Sequence, residues 1–339
     1  MNNKPIIGIT MGDPAGIGAE VTVKALNNAD YYRRSAPLVL GDAERIRQTI
    51  SFLGLPLKVR EIEDPSEAKF EYGVIDVLRV DNPGVSDILY GQVSALAGEA
   101  AVSYVFKAIE LAQEQKIDAI VTAPLNKEAI HLAGYNHYSG HTEILAEKTN
   151  TADYAMMLSV KGLYVIHVST HCSLRQACDK ASKSRIKKVI ELANEVVKTY
   201  NLPNPLIAVA GLNPHSGENG AFGTEEIEQI IPAIEEARLA GMKVIGPVPP
   251  DSLFVRAMKG EYQVMIVMYH DQGHVPVKVI GFDNGVNITI GLPIIRTSVD
   301  HGTAFEIAGK GIASVVSMEA ALDLAIDLAV KKAGKNTIS

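Results

Sequence analysis

The chain contains little cysteine, and this scarcity restricts the class of protein to which it can belong. Its 339 residues include only two cysteines, Cys172 and Cys178. Two cysteines cannot form the disulfide framework on which small secreted proteins depend, and disulfides are rare in reducing compartments. We therefore expect both thiols to be free and the protein to be cytoplasmic.

Long apolar runs and an excess of basic residues are also missing. No stretch approaches the ~20 apolar residues needed to span a bilayer, and the first residues lack the apolar core of a secretion signal. The 32 Lys and Arg residues are outnumbered by 39 Asp and Glu, which gives a formal net charge of -7. This mild acidity disfavours nonspecific binding of nucleic acid. The composition predicts a soluble globular protein with neither a membrane nor a nucleic acid as partner.

The two common nucleotide-binding motifs are absent from the first glycine-rich segment. An apolar run at 5–10 leads into Gly-Asp-Pro-Ala-Gly-Ile-Gly at 12–18. This spacing matches neither the dinucleotide GxGxxG pattern nor the Walker pattern. Two interpretations stay open: backbone amides that hold an anion near a helix N-terminus, or glycines that only permit a tight strand-to-helix turn.

Apolar runs that resemble strands alternate with segments of helical periodicity. This alternation is typical of βαβ units, with a mainly parallel sheet and helices on both faces. The length of 339 residues allows two lobes or one large α/β unit. Strands are expected at 5–10, 37–40, 73–79, 118–122, 153–160, 206–210, 242–245, 264–268 and 286–290, and helices at 17–27, 95–114, 182–200, 224–240 and 318–332.

Three histidines each follow an apolar run and lie in a polar, turn-rich segment. They are His171 in Ser-Thr-His-Cys, His215 in Asn-Pro-His-Ser and His270 in Met-Tyr-His-Asp. Histidine is the commonest metal ligand, and ligands collect at strand ends in α/β sheets. Each histidine alone could be a hydrogen-bonded strand-end residue, whereas the three together predict a catalytic divalent-metal site with positions open for substrate oxygens. His167, inside an apolar run, is expected to be a core histidine.

Further polar residues could bind an anionic substrate. Gly-His-Thr-Glu at 140–143 opens a predicted helix, so His141 and Thr142 either cap this helix or point into a cleft. Lys278 and Arg296 are two cations on either side of the neutral Asn287. Although each cation alone could be an ordinary surface charge, cations near a metal site suit a substrate that carries carboxylate and phosphate.

These segments together resemble the 4-hydroxythreonine-4-phosphate dehydrogenase family of metal- and NAD-dependent, decarboxylating dehydrogenases. The resemblance runs almost end to end and includes Gly-Thr-Glu-Glu at 223–226 and Ile-Arg-Thr-Ser-Val-Asp-His-Gly-Thr at 295–303. It implies that the metal ligands are His171, His215 and His270. Lys278 is a candidate general base or proton relay. The implied substrate contacts are His141, Thr142, Lys278, Asn287 and Arg296.

The resemblance also implies an architecture. The expected fold is similar to that of isocitrate and isopropylmalate dehydrogenases, with two α/β/α lobes and an active site in the interlobe cleft at a dimer interface. We place the first lobe at 1–135 plus 302–339, and the second lobe, with the metal ligands and dimer contacts, at 136–301. The homodimer would share its active sites, with metal ligands from both subunits. NAD would bind without the usual fingerprint, at residues that the sequence does not identify.

The implied reaction depends on the branch of the family. The segments at 169–178 and 270–276 are more similar to the branch that acts on 4-phospho-D-threonate, and residues 125–126 and 172–173 depart from the biosynthetic pattern. We therefore expect NAD-dependent oxidation of the C3 hydroxyl of that four-carbon acid, followed by loss of CO2 to give glycerone phosphate, in threonate catabolism. The implied divalent metal is zinc, cobalt, magnesium or manganese.

Three other functions stay open. One is the 4-phosphooxy-L-threonine dehydrogenase of pyridoxal phosphate (pyridoxine) biosynthesis, whose substrate carries an amine at C2 instead of a hydroxyl. The second is a metal-dependent hydrolase of a phosphorylated small molecule, which would need no NAD. The third is a non-catalytic protein that binds a phosphorylated metabolite without turnover.

Overall fold

The computed structural model describes residues 4–281 and 285–336, and the chain forms two compact units. Unit 1 comprises Met1–Ala152 and Leu292–Ser339, and unit 2 comprises Asp153–Gly291. Each unit contains a β-sheet and the helices that pack on it, which confirms the predicted α/β fold class. No helix in the described part of the chain is both long and apolar enough to cross a membrane.

The described strands of unit 1 form a wholly parallel arrangement. Their order is β3-β4-β2-β1-β5-β12, and each neighbouring pair runs parallel. All six residues of the second strand are buried, as expected of a parallel strand that helices cover on both faces. The strands are β1 (Ile6–Thr10), β2 (Ala36–Gly41), β3 (Lys58–Ile62), β4 (Val74–Arg79), β5 (Ala119–Thr122) and β12 (Arg296–Val299).

The helices of unit 1 begin and end at residues that suit those positions. Asp42 caps one helix by accepting a hydrogen bond from the Arg45 amide, and Gly54 ends the same helix in the left-handed conformation. The Ala-rich helix predicted at 95–114 buries its apolar stripe in the core of unit 1. The helices are α1 (Gly18–Leu26), α2 (Ala29–Arg34), α3 (Ala43–Leu53), α4 (Ala95–Gln113), α5 (Lys127–Leu132), α6 (His141–Lys148) and α12 (Val316–Asn336).

Unit 2 has a mixed sheet in its described residues. The order is β11-β6-β7-β10-β8-β9; β7, β10, β8 and β9 run parallel, whereas β11, β6 and β7 pair antiparallel. Lys161 and Gly162 join β6 to β7 and both have positive φ, which matches the twist of a tight hairpin. The strands are β6 (Ala155–Val160), β7 (Leu163–His167), β8 (Ile207–Ala210), β9 (Val244–Val248), β10 (Val264–Val267) and β11 (Val286–Ile290).

The helices of unit 2 include one short π-helical turn. It spans Glu226–Ile230 and continues directly into an α-helix. Ser173 and Gln176 form a capping box at the start of another helix, next to the two cysteines, which are free as predicted. The α-helices are α7 (Leu174–Lys180), α8 (Lys183–Thr199), α9 (Ile231–Leu239), α10 (Pro250–Met258) and α11 (His270–Gly281).

The boundaries of the two units differ from the lobe boundaries that the sequence suggested at 135/136 and 301/302. Helix α6 packs on α4 of unit 1, and β12 pairs with β5 of unit 1. Both elements therefore belong to unit 1, although the sequence analysis assigned them to the second lobe. Pairing between distant segments decides this assignment, and no change in local composition marks it.

Candidate active site

The sheet of unit 2 brings three chain segments to the same edge. His171 follows β7, His270 follows β10 and His215 follows β8, and these three parallel strands are neighbours in the order β7-β10-β8. The carboxyl ends of neighbouring parallel strands lie at one edge of a sheet, where ligands of α/β proteins bind. The strand order therefore supports the reasoning that connected the three histidines.

Two of the three predicted metal ligands lie close together. The ring centroids of His171 and His270 are 5.9 Å apart. Two imidazoles bound to one zinc ion through bonds of about 2.1 Å have ring centroids roughly 5–6 Å apart, so the pair fits a shared ion. Nδ1 of His270 lies 2.7 Å from Oδ1 of Asp271. A carboxylate on one ring nitrogen leaves Nε2 as the ligand atom and fixes the orientation of the ring.

His215 does not join this pair within one chain. Its side chain is 60% exposed, and its Nδ1 lies 3.9 Å from Oδ2 of Asp251. Across the described ranges, no group of three His, Cys, Asp or Glu residues is arranged to hold a metal ion. A single chain thus assembles two imidazoles, and the complete ligand set stays a prediction.

Helix α11 presents three basic side chains at intervals of four residues. His270, His274 and Lys278 therefore lie on one face of the helix. The rings of His270 and His274 are stacked, with centroids 3.6 Å apart and planes 8° apart. Burial is the main cause that lowers the pKa of His274 to about 4, and the charges of His270 and Lys278 lower it further. His274 is accordingly neutral at physiological pH and supports the face of the His270 ring.

No role was predicted for His274, because the sequence pattern does not predict a helix that starts at His270. Its spacing of four residues from His270 was the available signal, and it becomes informative once the segment is helical. His167 is 1% exposed at the end of β7, as expected of a core histidine. Its ring centroid lies 4.7 Å from that of His274, and burial lowers its pKa to about 3.

Unit 1 positions the buried Arg296 next to His141, whose Nε2 atom is buried. Arg296 is 3% exposed at the start of β12, and its Nε and Nη2 donate hydrogen bonds to Oγ1 of Thr122 over 3.1 and 2.7 Å. Burial lowers the pKa of Arg296 to about 9. The negative charge of Glu143 acts in the opposite direction, but burial is the larger effect. Burial first, and then the charge of Arg296, lower the pKa of His141 well below its usual value. His141 is therefore a neutral imidazole beside a buried guanidinium.

The structure also distinguishes between the two interpretations of the start of α6. Gly140 is the N-cap residue of this helix and supplies no side-chain cap. Thr142 is thus not the cap. The atom Nε2 of His141 is buried and has no hydrogen-bond partner among the residues that the structure describes. A buried polar atom of this kind is a candidate for binding water or a ligand.

The remaining predicted substrate contacts lie in unit 2. Lys278 is on α11, and Asn287 is on β11, opposite Leu158 of β6. The side-chain oxygen of Asn287 is buried and accepts no hydrogen bond from the described chain. An acceptor in this state costs free energy unless water or a ligand satisfies it.

Backbone amides of the glycine-rich loop at 12–18 donate hydrogen bonds to acceptors within the protein. Asp13 N donates to Pro124 O and Ile17 N to Thr303 O, over 2.9 and 3.1 Å. Ala15 N donates to Oδ1 of Asp13 over 2.8 Å, and Gly16 N donates to Asp13 O over 3.0 Å. These four amides are not available to an anion, so the structure favours the tight-turn interpretation. A Cβ at Gly18 would lie 2.1 Å from Met11 O, which explains the need for glycine there.

The same loop contains a carboxyl group that should make stability depend on pH. Asp13 is 1% exposed, its Oδ2 has no hydrogen-bond partner in the described structure, and burial raises its pKa from 3.8 to about 6. Because the folded-state pKa is above the unfolded one, this group stabilises the protein most below about pH 4, and stability falls as pH rises to about 6. We expect Asp13→Asn to raise the free energy of unfolding at neutral pH by about 3 kcal/mol, measured by urea denaturation.

A matched control is Asp87→Asn, since Asp87 is an exposed aspartate of the same unit. Its stability curve against pH should coincide with that of the wild type. If Asp13→Asn were less stable than the wild type at every pH, the Asp13 carboxylate would be a required structural anion and the interpretation would be wrong.

Comparison with known proteins places the chain in a family. Residues 33–325 match the family described as "Pyridoxal phosphate biosynthetic protein PdxA". The chain belongs to the PdxA family. This finding confirms the predicted relationship, because solved structures similar to this PdxA protein are described as 4-hydroxythreonine-4-phosphate dehydrogenases.

The similarity covers nearly the whole PdxA chain. The D-threonate 4-phosphate dehydrogenase of Cupriavidus necator is 49% identical over 331 residues, which are 97% of this chain and 98% of that one. The crystal structure of a 4-hydroxythreonine-4-phosphate dehydrogenase from Burkholderia phymatum has a TM-score of 0.85 at 50% identity and covers 96% of this chain and 99% of its own. The corresponding Klebsiella pneumoniae structure has a TM-score of 0.89 at 46% identity, with coverage of 97% and 99%.

Proposed function

We propose that this PdxA protein is a metal- and NAD-dependent dehydrogenase that oxidises 4-phospho-D-threonate and releases CO2 to give glycerone phosphate. The observation that carries the proposal is the pairing of His171 with His270, 5.9 Å apart, at the sheet edge where α11 begins. Lys278 lies about two turns further along α11, on the same face of the helix. The Cupriavidus necator relative, which is named for D-threonate 4-phosphate, supports the choice of substrate.

The described cations and neutral donors suit a substrate with a carboxylate and a phosphate. Arg296 offers planar donors from a buried position, and an anion attracts a buried guanidinium more strongly than an exposed one. The neutral His141 beside it can donate a hydrogen bond without adding charge. Lys278 and Asn287 are also proposed as substrate contacts. Thr142, at the start of α6, is proposed as a further contact.

In our proposal the metal ion needs a third protein ligand, which the same chain does not place beside His171 and His270. We infer that the protein is a homodimer in which His215 of the partner subunit completes the set formed by His171 and His270. The exposure of His215 leaves its imidazole accessible to a second copy. When bound, a divalent ion polarises the substrate hydroxyl and nicotinamide accepts the hydride. Zinc, cobalt, manganese and magnesium are all compatible with imidazole and substrate oxygen ligands.

The proposed reaction has two stages, an oxidation and a decarboxylation. In the first, Nζ of Lys278, our candidate base, would take the proton of the C3 hydroxyl, and NAD, when bound, would accept the hydride from C3. The product is a β-keto acid, whose bond between C1 and C2 then breaks to release CO2. The electron pair left at C2 takes up a proton, which gives glycerone phosphate. Lys278 lies close enough to His274 for its charge to lower the pKa of that histidine, so it is near the His270 face of α11.

A second candidate is the oxidation of 4-phosphooxy-L-threonine in pyridoxal phosphate biosynthesis. It is favoured by solved structures at 46–50% identity that are described as 4-hydroxythreonine-4-phosphate dehydrogenases. The two substrates differ at C2, which carries a hydroxyl in one and an amine in the other. Both reactions would use the same cations, metal ligands and cofactor, so a direct comparison of the substrates must separate them.

The test is NADH formation by protein loaded with a divalent metal and given each substrate separately with NAD. We expect turnover of 4-phospho-D-threonate that a chelator stops and added metal restores, with glycerone phosphate and CO2 formed in equal amounts. Preference for the amino acid would move the protein to the biosynthetic reaction. Phosphate release without NAD would identify a hydrolase, and binding without turnover would contradict both dehydrogenase proposals.

A further inference from the structure

The segment that carries His215 has an unusual backbone conformation. Five consecutive residues, from His215 to Asn219, have positive φ values of 51°, 54°, 77°, 41° and 56°. Only one of the five is glycine, and every other residue type adopts this left-handed conformation at a cost. A run of this length persists only where the surrounding structure holds it in place, and such strain concentrates at functional sites.

The side chain of Glu226 holds the chain immediately before this turn. Its Oε1 accepts hydrogen bonds from the backbone amides of Leu212 and Asn213, both over 2.8 Å. Its Oε2 accepts a third hydrogen bond, of 2.9 Å, from Nδ2 of Asn213. Glu226 is 1% exposed, so these contacts are shielded from water. Short hydrogen bonds to a buried carboxylate are among the strongest in proteins.

The same carboxylate also packs against the turn itself. A Cβ added at Gly217 would lie 2.6 Å from Oε2 of Glu226 and 3.1 Å from Gly223 O. The turn therefore touches Glu226 at a position where no side chain fits. Glu226 also begins the π-helical turn Glu226–Ile230, a rare structure that is frequently found at functional sites.

We propose that Glu226 is a positioning residue that fixes the left-handed turn and thereby sets the direction of the His215 imidazole. The carboxylate binds the chain two residues before His215 and contacts it two residues after. This role accounts for Gly-Thr-Glu-Glu at 223–226, a segment that had no assigned function. The inference rests on the proposed function of His215 as a metal ligand. The experiments below test the role of Glu226 and the ligand role of His215 separately.

The main test is the isosteric variant Glu226→Gln. The glutamine oxygen can still accept from the two backbone amides, but its NH2 group then faces Nδ2 of Asn213, so two donors oppose each other. Asn213 cannot simply reverse its amide, because the same Nδ2 donates to Oε2 of Glu225 over 2.7 Å. We expect the affinity for Co²⁺ to fall about 10–100-fold, as for other residues that orient metal ligands. Titration of full-length protein, followed by the visible absorption of bound Co²⁺, measures this affinity.

A second readout reports on the turn without any metal. Amide hydrogen exchange in residues 211–223 of the metal-free protein should be faster in Glu226→Gln than in the wild type. Glu228→Gln is the matched control, because Glu228 is exposed on the same π-helical turn and its substitution removes the same charge. The control should change neither the exchange rate nor the Co²⁺ affinity.

Gly217→Ala disturbs the contact between Gly217 and Glu226 without changing Glu226. It therefore tests the inference even if Glu226→Gln fails to fold. Its Cβ should displace the turn from the carboxylate and lower the Co²⁺ affinity in the same way. A purely structural role for Glu226 would lower the melting temperature and leave the Co²⁺ spectrum and affinity unchanged, which would overturn the inference.

The variant His215→Ala distinguishes the inference from the function on which it rests. If His215→Ala loses Co²⁺ and Glu226→Gln keeps both wild-type affinity and wild-type exchange, the role of Glu226 is wrong and the ligand assignment stands. If His215→Ala binds Co²⁺ as tightly as the wild type, the ligand assignment is wrong. In that case, faster exchange in Glu226→Gln would still show that Glu226 fixes the turn.

Discussion

Replacement of His270 by alanine is expected to remove the bound metal ion and to lower turnover by about 10³-fold. His270 is the first residue of α11, its ring is stacked on His274, and its Nδ1 is held by Asp271. A metal ion that acts as a Lewis acid lowers a reaction barrier by several kcal/mol, and each 1.36 kcal/mol is a factor of ten in rate. Metal analysis of the purified variant and steady-state kinetics measure the two effects.

The control for this prediction is His131→Ala. His131 lies on α5 of unit 1, its Nε2 lies 2.9 Å from Tyr138 O, and it is not one of the predicted ligands. This variant should retain wild-type metal content. Full metal content together with full turnover in His270→Ala would exclude His270 from the metal site.

Replacement of Arg296 by alanine is expected to raise the KM for the phosphorylated substrate by about 100-fold, with a smaller effect on kcat. Removing one partner of a buried charged pair costs about 2–5 kcal/mol, and 1.4 kcal/mol corresponds to tenfold in affinity. In our proposal, Arg296 and the substrate anion form such a pair. Because Arg296 binds the substrate and does not react, its loss should weaken the ground state and the transition state alike. Steady-state kinetics over a wide range of substrate concentration measure both constants.

Two further variants separate the charge of Arg296 from its geometry. Arg296→Lys keeps a cation but loses the planar donors, so its KM should lie between those of the wild type and Arg296→Ala. Thr122→Val keeps the guanidinium but removes the hydroxyl that accepts hydrogen bonds from its Nε and Nη2. The expected increase in KM is about tenfold. A KM for Arg296→Ala equal to that of the wild type would show that this residue does not bind the substrate.

Strands and helices with strong, simple patterns were predictable, and two of the missed elements have identifiable reasons. The fully apolar run of β2 and the Ala-rich stripe of α4 were found at nearly their observed positions. The strand β3, Lys58–Ile62, was missed because it lies at the end of the sheet order and carries charged side chains. The helix α11 was missed because it contains Pro276 and glycines, residues that normally end a helical pattern.

The active-site prediction depended on a rule about strand ends. His171 and His270 meet because β7 and β10 are adjacent and parallel, and the sequence reveals neither the adjacency nor the direction of strands. The left-handed turn at His215 was not predictable either, since it depends on contacts with Glu226 that only the folded chain forms. Likewise, the amides of Asp13 and Ile17 bind carbonyl groups at Pro124 and Thr303, which are distant in the sequence.

The division of the chain has a consequence for the order of events during synthesis. Unit 2 is one continuous segment, Asp153–Gly291, and unit 1 is made from the segments on either side of it. As the ribosome releases the chain from its N-terminus, β5 emerges long before β12, the strand that pairs with it. The edge of β5 therefore stays open while all of unit 2 is made, and an unpaired strand edge is a site for aggregation. Arg296 lies on β12, so it can donate its hydrogen bond to Thr122 only after β12 has paired with β5.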